Sequence, residues 1–405
     1  MYQRVATDEY LYQVGYGRKT GRRHVVKLRF VKLDERTLCV LSLASGPAVP
    51  DWLRNLMSFN SLAKDALRTP SAHAPLVASK GILGVVNRVI VPVDPEEKQN
   101  LLEKFHAKYH GLFASLKHYY ANSRPILIEF EPLPRDEDLI RELEFDFQAS
   151  SYTSAILNNK ISRWQREVTV STLRSIFSSG QTVLEIGCGT GIETLELARS
   201  GVNVVALDIS STMLEHLDAR AKVLGVSDAL RTRKLASSEI SLLKDDEYAL
   251  PAGGFDGAFS HFGAMNLEPD LAKFPRNLSR ILKPGAPVSF ALWNRFCIGE
   301  LPLKAIKFEL GSSAQRMSGL VRAGERAKYS LDSRTYTPRE FASHFSDAFD
   351  LVSYYALPAL FVPPSEYATK LGGMLRFAKF DLRLGRLPFF RDLGDNFVMI
   401  MRRRS

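Results

Sequence analysis

The amino-acid sequence predicts an α/β protein in which a doubly wound parallel sheet follows a smaller α+β domain built on a β-barrel. Three observations lead there. The chain has 405 residues, too many for one ordinary core and enough for two. From Ile161 the apolar pattern settles into a repeating order of strand, loop and helix, whereas residues 1–133 read as β-branched strands parted by Gly, Pro and acidic turns. Within the later region a short apolar strand runs directly into Gly187-Cys188-Gly189-Thr190-Gly191, and the next strand ends on Asp208.

In chain order, Val25 to Lys32 and Leu38 to Ser42 alternate or are β-branched, which predicts strands. Pro95 with Glu96 and Glu97 opens a helix expected to reach Tyr120, because Leu101, Leu102, Phe105, Tyr109, Leu112 and Phe113 follow at helical spacing. Ile126 to Phe130 closes the first domain as a strand. Prolines and a charge run between Glu131 and Asp138 place a linker at 134–150, passing into a polar helix around Leu139 to Phe147. The second domain, 151–405, is predicted to hold strands at Thr182 to Ile186, Val202 to Leu207, Phe255 to Ser260 and Val288 to Trp293. Helices are expected at Gly191 to Arg199 and Ser211 to Leu224. Phe349 to Tyr355 and Asn396 to Arg402 alternate and are expected to form the strand pair that closes the sheet.

Composition narrows the class. Apolar residues make up 45% and charged residues 24%, the balance of a globular protein. No apolar run approaches the roughly 20 residues of a spanning helix, and the opening Met1, Tyr2, Gln3, Arg4 lacks the apolar core of a leader, so a cytoplasmic protein is expected. Cys39, Cys188 and Cys297 show no metal-ligand spacing and form no disulfide framework; they read as small buried apolar side chains. The formal net charge of +10 gathers at Arg18, Lys19, Arg22 and Arg23, and again in a tail that carries Lys370, Arg376, Lys379, Arg383, Arg386 and Arg391. No zinc-finger, RNA-recognition or helix-turn-helix pattern accompanies them, so nucleic acid is not the expected partner. A cofactor phosphate suits the first cluster, and peripheral contact of 370–391 with an anionic membrane suits the second.

The glycine loop carries the chemistry. After a buried strand and before a helix, missing Cβ atoms let the backbone approach a ligand, and the helix N-terminus supplies free N–H groups. Glu185 precedes the loop, and Asp208 stands where a carboxylate can accept two ribose hydroxyls. A nicotinamide dehydrogenase would space its glycines G-x-G-x-x-G; here they stand at 187, 189 and 191. The run Val183-Leu184-Glu185-Ile186-Gly187-Cys188-Gly189-Thr190-Gly191, followed by Val204 to Leu214, closely resembles class I S-adenosylmethionine (SAM)-dependent methyltransferases, whose sheet is Rossmann-like. Phe255 to Ala264 resembles that family's fourth strand and following loop, Leu282 to Val288 the turn into its fifth, and Gly394 to Ile400 its last.

The resemblance implies SAM as cofactor. It places Glu185 at the methionine amino group, Asp208 at the ribose, Met213 or Leu214 at the adenine face, and Cys188, Thr190, Ile209 and Ser260 around them. Where the family has an acid after the third strand, this chain reads Lys234-Leu235-Ala236-Ser237-Ser238, so Ser237 would serve adenine. Methyl transfer is an in-line displacement that positioning alone accelerates, so a general base is optional. His261 could accept a proton from a phenol or hydroxyl, or stand in the pocket wall. Tyr152 and Trp164 read as lid residues or as aromatic core. Substrate selection is expected in insertions near 298–336 and 358–391. The second mixes Leu371, Met374, Phe377, Phe380 and Phe389 with arginines, which suits a lipophilic or aromatic acceptor, a membrane surface, or a cap helix with solvated charges.

In the first domain, Gly17-Arg18-Lys19-Thr20-Gly21-Arg22-Arg23 before a strand, and Pro50-Asp51-Trp52-Leu53-Arg54 after the next, resemble the deazaflavin-dependent nitroreductase family. Those are split β-barrels that bind a deazaflavin coenzyme and reduce quinones or nitro compounds. The resemblance makes Lys19, Thr20, Arg23 and Trp52 the cofactor candidates. Lys27 stands where the family has proline, and Ser58-Phe59-Asn60 replaces its small-Asn-Pro, so the barrel reads equally as a redox domain or as one kept for stability or substrate delivery. The expected activity is methyl transfer from SAM to a small acceptor such as a quinone-like ring. The alternatives are a deazaflavin-dependent oxidoreductase regulated by SAM, and a nucleic-acid methyltransferase. Against the last stands the lack of an Asn-Pro-Pro-Tyr or Pro-Cys motif after the fourth strand.

Overall fold

The computed structural model describes residues 11–16, 23–43, 52–54, 56, 75–79, 82–109, 123–134, 136–245, 250–268, 271–306, 315–322 and 331–405. The chain divides into two compact units, Met1–Phe147 and Gln148–Ser405. Among the described residues no helix is long and apolar enough to cross a membrane.

The first unit consists of Leu11–Tyr16 (β1), Arg23–Leu28 (β2), Phe30–Lys32 (β3), Thr37–Leu43 (β4), Leu76–Ser79 (β5), Ile82–Ile90 (β6), the helix Pro95–Lys108 (α1) and Ser123–Pro132 (β7). All pairings are antiparallel, in the order β2-β1-β5-β6-β7-β4-β3. The two ends of that order, β2 and β3, are separated in the chain by Arg29 alone. Leu28 at one end and Phe30 at the other pack on a single core that also takes Leu11, Val40, Val77, Val86 and Ile128. Asp94 caps α1 by accepting the Glu97 N–H at 2.7 Å, and Pro95 fills the first helical position, where its missing N–H costs nothing. Residues 110–122, where the same helix was expected to continue, lie outside the described ones.

The stretch expected as a linker is helical from Glu137, and the helix Glu137–Asn158 (α2) runs eleven residues past Phe147. No Gly or Pro interrupts it. Ser151 and Ser154 donate back to the carbonyls of Gln148 and Ser151 within it. Ile140 and Leu143 supply its buried face in the first unit. There Lys27 meets Glu144 at 3.2 Å, both buried.

In the second unit the end of α2 is followed by the helix Lys160–Ile176 (α3), capped by Asn159. Then come Thr182–Ile186 (β8), Ile192–Ala198 (α4), Asn203–Asp208 (β9), Ser211–Leu224 (α5), Leu230–Lys234 (β10), Gly257–His261 (β11), Phe274–Ile281 (α6) and Pro287–Trp293 (β12). Leu320–Arg322 (β13) and Asp332–Arg334 (β14) form a two-stranded ribbon; Pro338–Phe345 (α7), Phe349–Ala356 (β15), Ala378–Leu384 (α8) and Asn396–Arg403 (β16) follow. The sheet order is β10-β9-β8-β11-β12-β16-β15, parallel as far as β12, with β16 antiparallel to both of its neighbours. This is the doubly wound sheet with its closing strand pair. Alternation along each strand builds two cores. Leu184, Val205, Ala258 and Phe290 face α6 and α7, whereas Val183, Val204 and Phe259 face α3 and α5. From β8 the chain winds outward to β9 and β10, then returns to lay β11 and β12 on the other side. That reversal opens a crevice beyond the C-terminal ends of β8 and β11, where ligands bind in open α/β sheets.

Candidate functional site

The loop after β8 lies at that reversal. Gly187, Gly189 and Gly191 have φ of 73°, 54° and 73°, the left-handed region that side chains disfavour. Space forbids side chains as well. A Cβ on residue 187 would lie 2.3 Å from that of Ala264, and one on residue 191 would lie 2.2 Å from Leu217 Cδ1. Gly187 and Cys188 donate their N–H groups to the carbonyl of Leu207, and Gly191 starts α4.

Asp208, buried at the end of β9, grips the loop. Its Oδ2 accepts the Gly189 N–H at 2.7 Å and its Oδ1 accepts the Ser210 N–H at 2.9 Å. A carboxylate oxygen accepts more than one hydrogen bond, so these two N–H groups do not exhaust what Asp208 can accept. Ser210 caps α5 by accepting the Met213 N–H at 3.0 Å, which sets the buried Met213 just past Asp208 and the half-buried Ile209. Ser237 is half-buried where a short 3-10 helix follows β10.

Glu185 is buried, and its Oε2 accepts a hydrogen bond from Thr194. Burial, and then the charge of Glu193, push its carboxyl well above the usual carboxylate range. Burial likewise pushes the Cys188 thiol well up. The hydroxyls of Thr190 and Thr153 share a hydrogen bond of 2.6 Å, and Arg220 donates to the Thr190 carbonyl at 2.5 Å.

Arg166 is the residue that pattern reading missed. Its guanidinium meets both carboxylate oxygens of Glu193 at 2.6 and 2.7 Å, lies 4.1 Å from the Phe262 ring centroid, and its charge acts on the Tyr152 phenol. Burial, the largest effect, works against its charge, but Glu193 and Tyr152 together outweigh it and raise its pKa. The signal was present: Arg166 shares the helical stripe of Thr169, Val170 and Leu173, where a charge must find a partner. Tyr152 brings its ring to Gly189, where an added Cβ would lie 3.3 Å from the ring edge; burial pushes its phenol pKa up. Trp164, by contrast, packs against Ala291, Tyr355, Leu357 and Val398, which is core.

On the β11 side, Ser260 donates to the Ile186 carbonyl at 2.7 Å, which ties β11 to the strand that carries the loop. His261 Nε2 shares a hydrogen bond with Ser289 Oγ at 3.0 Å. Burial, with Arg166 nearby, pulls the imidazole down to about 3, so it is neutral across the physiological range. Phe262 follows at φ 58°, an unusual conformation for a bulky side chain. Of the first-unit candidates, Trp52 is half-buried against the core, Arg23 lies in β2, and Lys19 and Thr20 lie outside the described residues.

Residues 183–285 match a family described as a methyltransferase domain. The 2-methyl-6-phytyl-1,4-hydroquinone methyltransferase of Synechocystis sp. is 34% identical over 125 residues, 31% of this chain and 36% of that protein. The demethylmenaquinone methyltransferase of Mycobacterium tuberculosis is 32% identical over 145 residues, 35% of this chain and 53% of its own length. O-methyltransferase resE of Aspergillus sclerotiorum is 26% identical over 117 residues, covering 28% and 40%. The chain thus spans between about a third and about half the length of these curated relatives. With its glycine loop at the reversal of a doubly wound sheet and Asp208 at the end of the adjacent strand, the second unit contains a class I SAM-dependent methyltransferase domain.

Proposed function

We propose that the chain methylates a lipophilic aromatic acceptor, a quinol-like ring, with SAM as donor. The observation that carries the donor half is the loop itself: three left-handed glycines, two of them too crowded for a Cβ, tied through Gly189 to a carboxylate one strand away. A sulfonium nucleoside fits these groups. Asp208 would hold the ribose hydroxyls, the loop would pass along the amino-acid end beside Glu185, and Met213 would face the base. SAM supplies a methyl group already activated by a positively charged leaving sulfur. The chain's own contribution is positioning and exclusion of water by Tyr152 and Phe262, rather than proton abstraction. His261 is too weakly basic for that role, so it belongs to the wall. The acceptor class is supported by two relatives whose names specify a hydroquinone and demethylmenaquinone.

For the first unit we propose the split barrel. One segment, 23–32, supplies both ends of the sheet order, and its Leu28 and Phe30 share one core. Six interstrand steps of about 4.8 Å would hold those ends nearly 30 Å apart in a flat sheet. A deazaflavin in this barrel is a further proposal, resting on the resemblance around Lys19, Thr20, Arg23 and Trp52. Native mass spectrometry of the purified chain tests cofactor retention, and mass spectrometry of reactions with methyl-labelled SAM tests the acceptor. Label on a quinol and on no sugar or lipid hydroxyl is the expected result. Label on a hydroxyl alone removes the quinol reading, and redox turnover with no methyl product favours the oxidoreductase.

A further inference from the structure

The segment from Pro358 to Arg391 is held from within by one carboxylate. Asp381 of α8 is buried and accepts the backbone N–H groups of Ala359, Leu360, Phe361 and Val362 at 2.7, 2.9, 2.5 and 3.2 Å. This clamp fixes loop 359–362 on α8 and sets the Phe361 ring 5.3 Å from that of Phe380 and 6.1 Å from that of Phe377. The aromatic group so built is not core: Phe361 is 39% exposed and Phe380 54%, and further along the segment Leu387 is 52% and Phe389 66% exposed. Phe389 is held at φ 74°, so the backbone adopts a disfavoured conformation while its ring stays in solvent.

Charge decides what such a surface meets. Between 358 and 391 the cations are Lys370, Arg376, Lys379, Arg383, Arg386 and Arg391; the carboxylates are Glu366 and the buried, occupied Asp381. Lys379 and Arg383 lie on α8 beside Phe380, exposed, at the i, i+4 spacing that puts both on one face. Aromatic side chains flanked by long cationic ones suit the boundary between lipid headgroups and acyl chains, where rings enter and the cations reach phosphate. We propose that this surface docks the chain on an anionic lipid bilayer, with Phe380, Leu387 and Phe389 entering the boundary and Arg376, Lys379 and Arg383 meeting lipid phosphates. Docking stands apart from the identity of the acceptor. That a membrane-dissolved acceptor is collected there rests on the quinol reading above.

The test is sedimentation of the full chain with vesicles of phosphatidylcholine alone and with about a third phosphatidylglycerol, at low and high salt. Preference for the anionic vesicles, lost at high salt, is expected. Lys379→Glu/Arg383→Glu should weaken binding at least about twentyfold, since each cation near an anionic leaflet contributes roughly fivefold. Phe380→Ser/Phe389→Ser should weaken it about tenfold or more. Both variants replace solvent-facing side chains, and an unchanged thermal transition verifies their fold. Methylation of a short-chain soluble quinol without vesicles should be unaffected by them. If that reaction is absent in the parent chain while vesicle binding persists, the acceptor reading fails and the docking surface stands. Equal binding to neutral and anionic vesicles, or binding unchanged in both variants, overturns the proposal. So does a concentration-dependent dimer in lipid-free solution that both variants dissociate, since the surface would then belong to a second copy.

Discussion

Replacing Asp208 with alanine separates the two tasks of that carboxylate. Without ligand it already accepts two backbone N–H groups, from Gly189 at 2.7 Å and Ser210 at 2.9 Å, so the variant leaves two donors without that acceptor. An unpaired buried donor costs about 1–3 kcal/mol, so stability should fall by roughly 2–6 kcal/mol. At about 2–4 °C per kcal/mol for a unit of this size, the transition should drop by on the order of 10 °C. Binding should suffer separately. The lost pair of charge-assisted hydrogen bonds to ribose amounts to about 2–4 kcal/mol, which is roughly 30- to 1,000-fold in SAM affinity. Titration calorimetry well below the lowered transition reads the second effect without the first. Asp208→Asn keeps the side-chain volume and one acceptor oxygen, so it should lie between parent and alanine variant in both measurements. If Asp208→Ala remains folded and binds SAM as the parent does, the carboxylate belongs to the loop alone, and the assigned ribose contact is wrong.

Gly191→Ala should destabilise the second unit by about 2–4 kcal/mol in chemical denaturation, because its φ is 73° and the new Cβ would crowd Leu217; a stability gain would contradict the loop geometry. Lys27→Met removes the ammonium that meets the buried Glu144 carboxylate and should cost on the order of 3 kcal/mol, part of it recovered in Lys27→Met/Glu144→Leu. Additive losses in that pair would refute the coupling. His261 has its folded pKa depressed from 6.5 to about 3, so between those values the unfolded chain binds a proton that the folded one does not. Stability should therefore fall as pH falls, by on the order of 2 kcal/mol from about pH 7 to about pH 5, and His261→Gln should flatten that slope in denaturation curves at each pH. Asp381→Ala strands four N–H groups and should cost at least about 3 kcal/mol, measured by thermal unfolding, with Asp381→Asn milder.

What could be read before the fold was known followed from period and from glycine. Thr182–Ile186 and Ser211–Leu224 match their expected limits, because a short apolar run bounded by turn residues, and a Ser cap with Gly225 beyond the last turn, are local signals. The polar helix expected around Leu139 to Phe147 is present and extends to Asn158, since no Gly or Pro occurs to end it. The Arg166–Glu193 pair needed the third dimension, since α3 and α4 meet only once β8 has been laid between them in sequence. Asp381 was hidden too: in the sequence it is one acid among arginines, and only the fold brings four amides to it.

Phe262 shows why the β11 side of the site resisted a reading based on glycine punctuation. The chain turns there at φ 58°, next to Gly263 at φ 118°, and glycine at 262 would allow the same turn without strain. A bulky residue held there costs on the order of 1–2 kcal/mol. Two contacts oppose that cost. The Phe262 N–H reaches the Ala291 carbonyl at 2.8 Å, and the ring lies 4.1 Å from the Arg166 guanidinium, an arrangement that contributes roughly 0.5–2 kcal/mol when desolvated. The backbone amide would serve glycine equally well, so the ring is what the position retains. It lies over the guanidinium of the Arg166–Glu193 pair and so shields a buried charge from water. On one side of the crevice the backbone is shaped by missing side chains; on the other it is held in a strained turn by a side chain that the buried arginine requires.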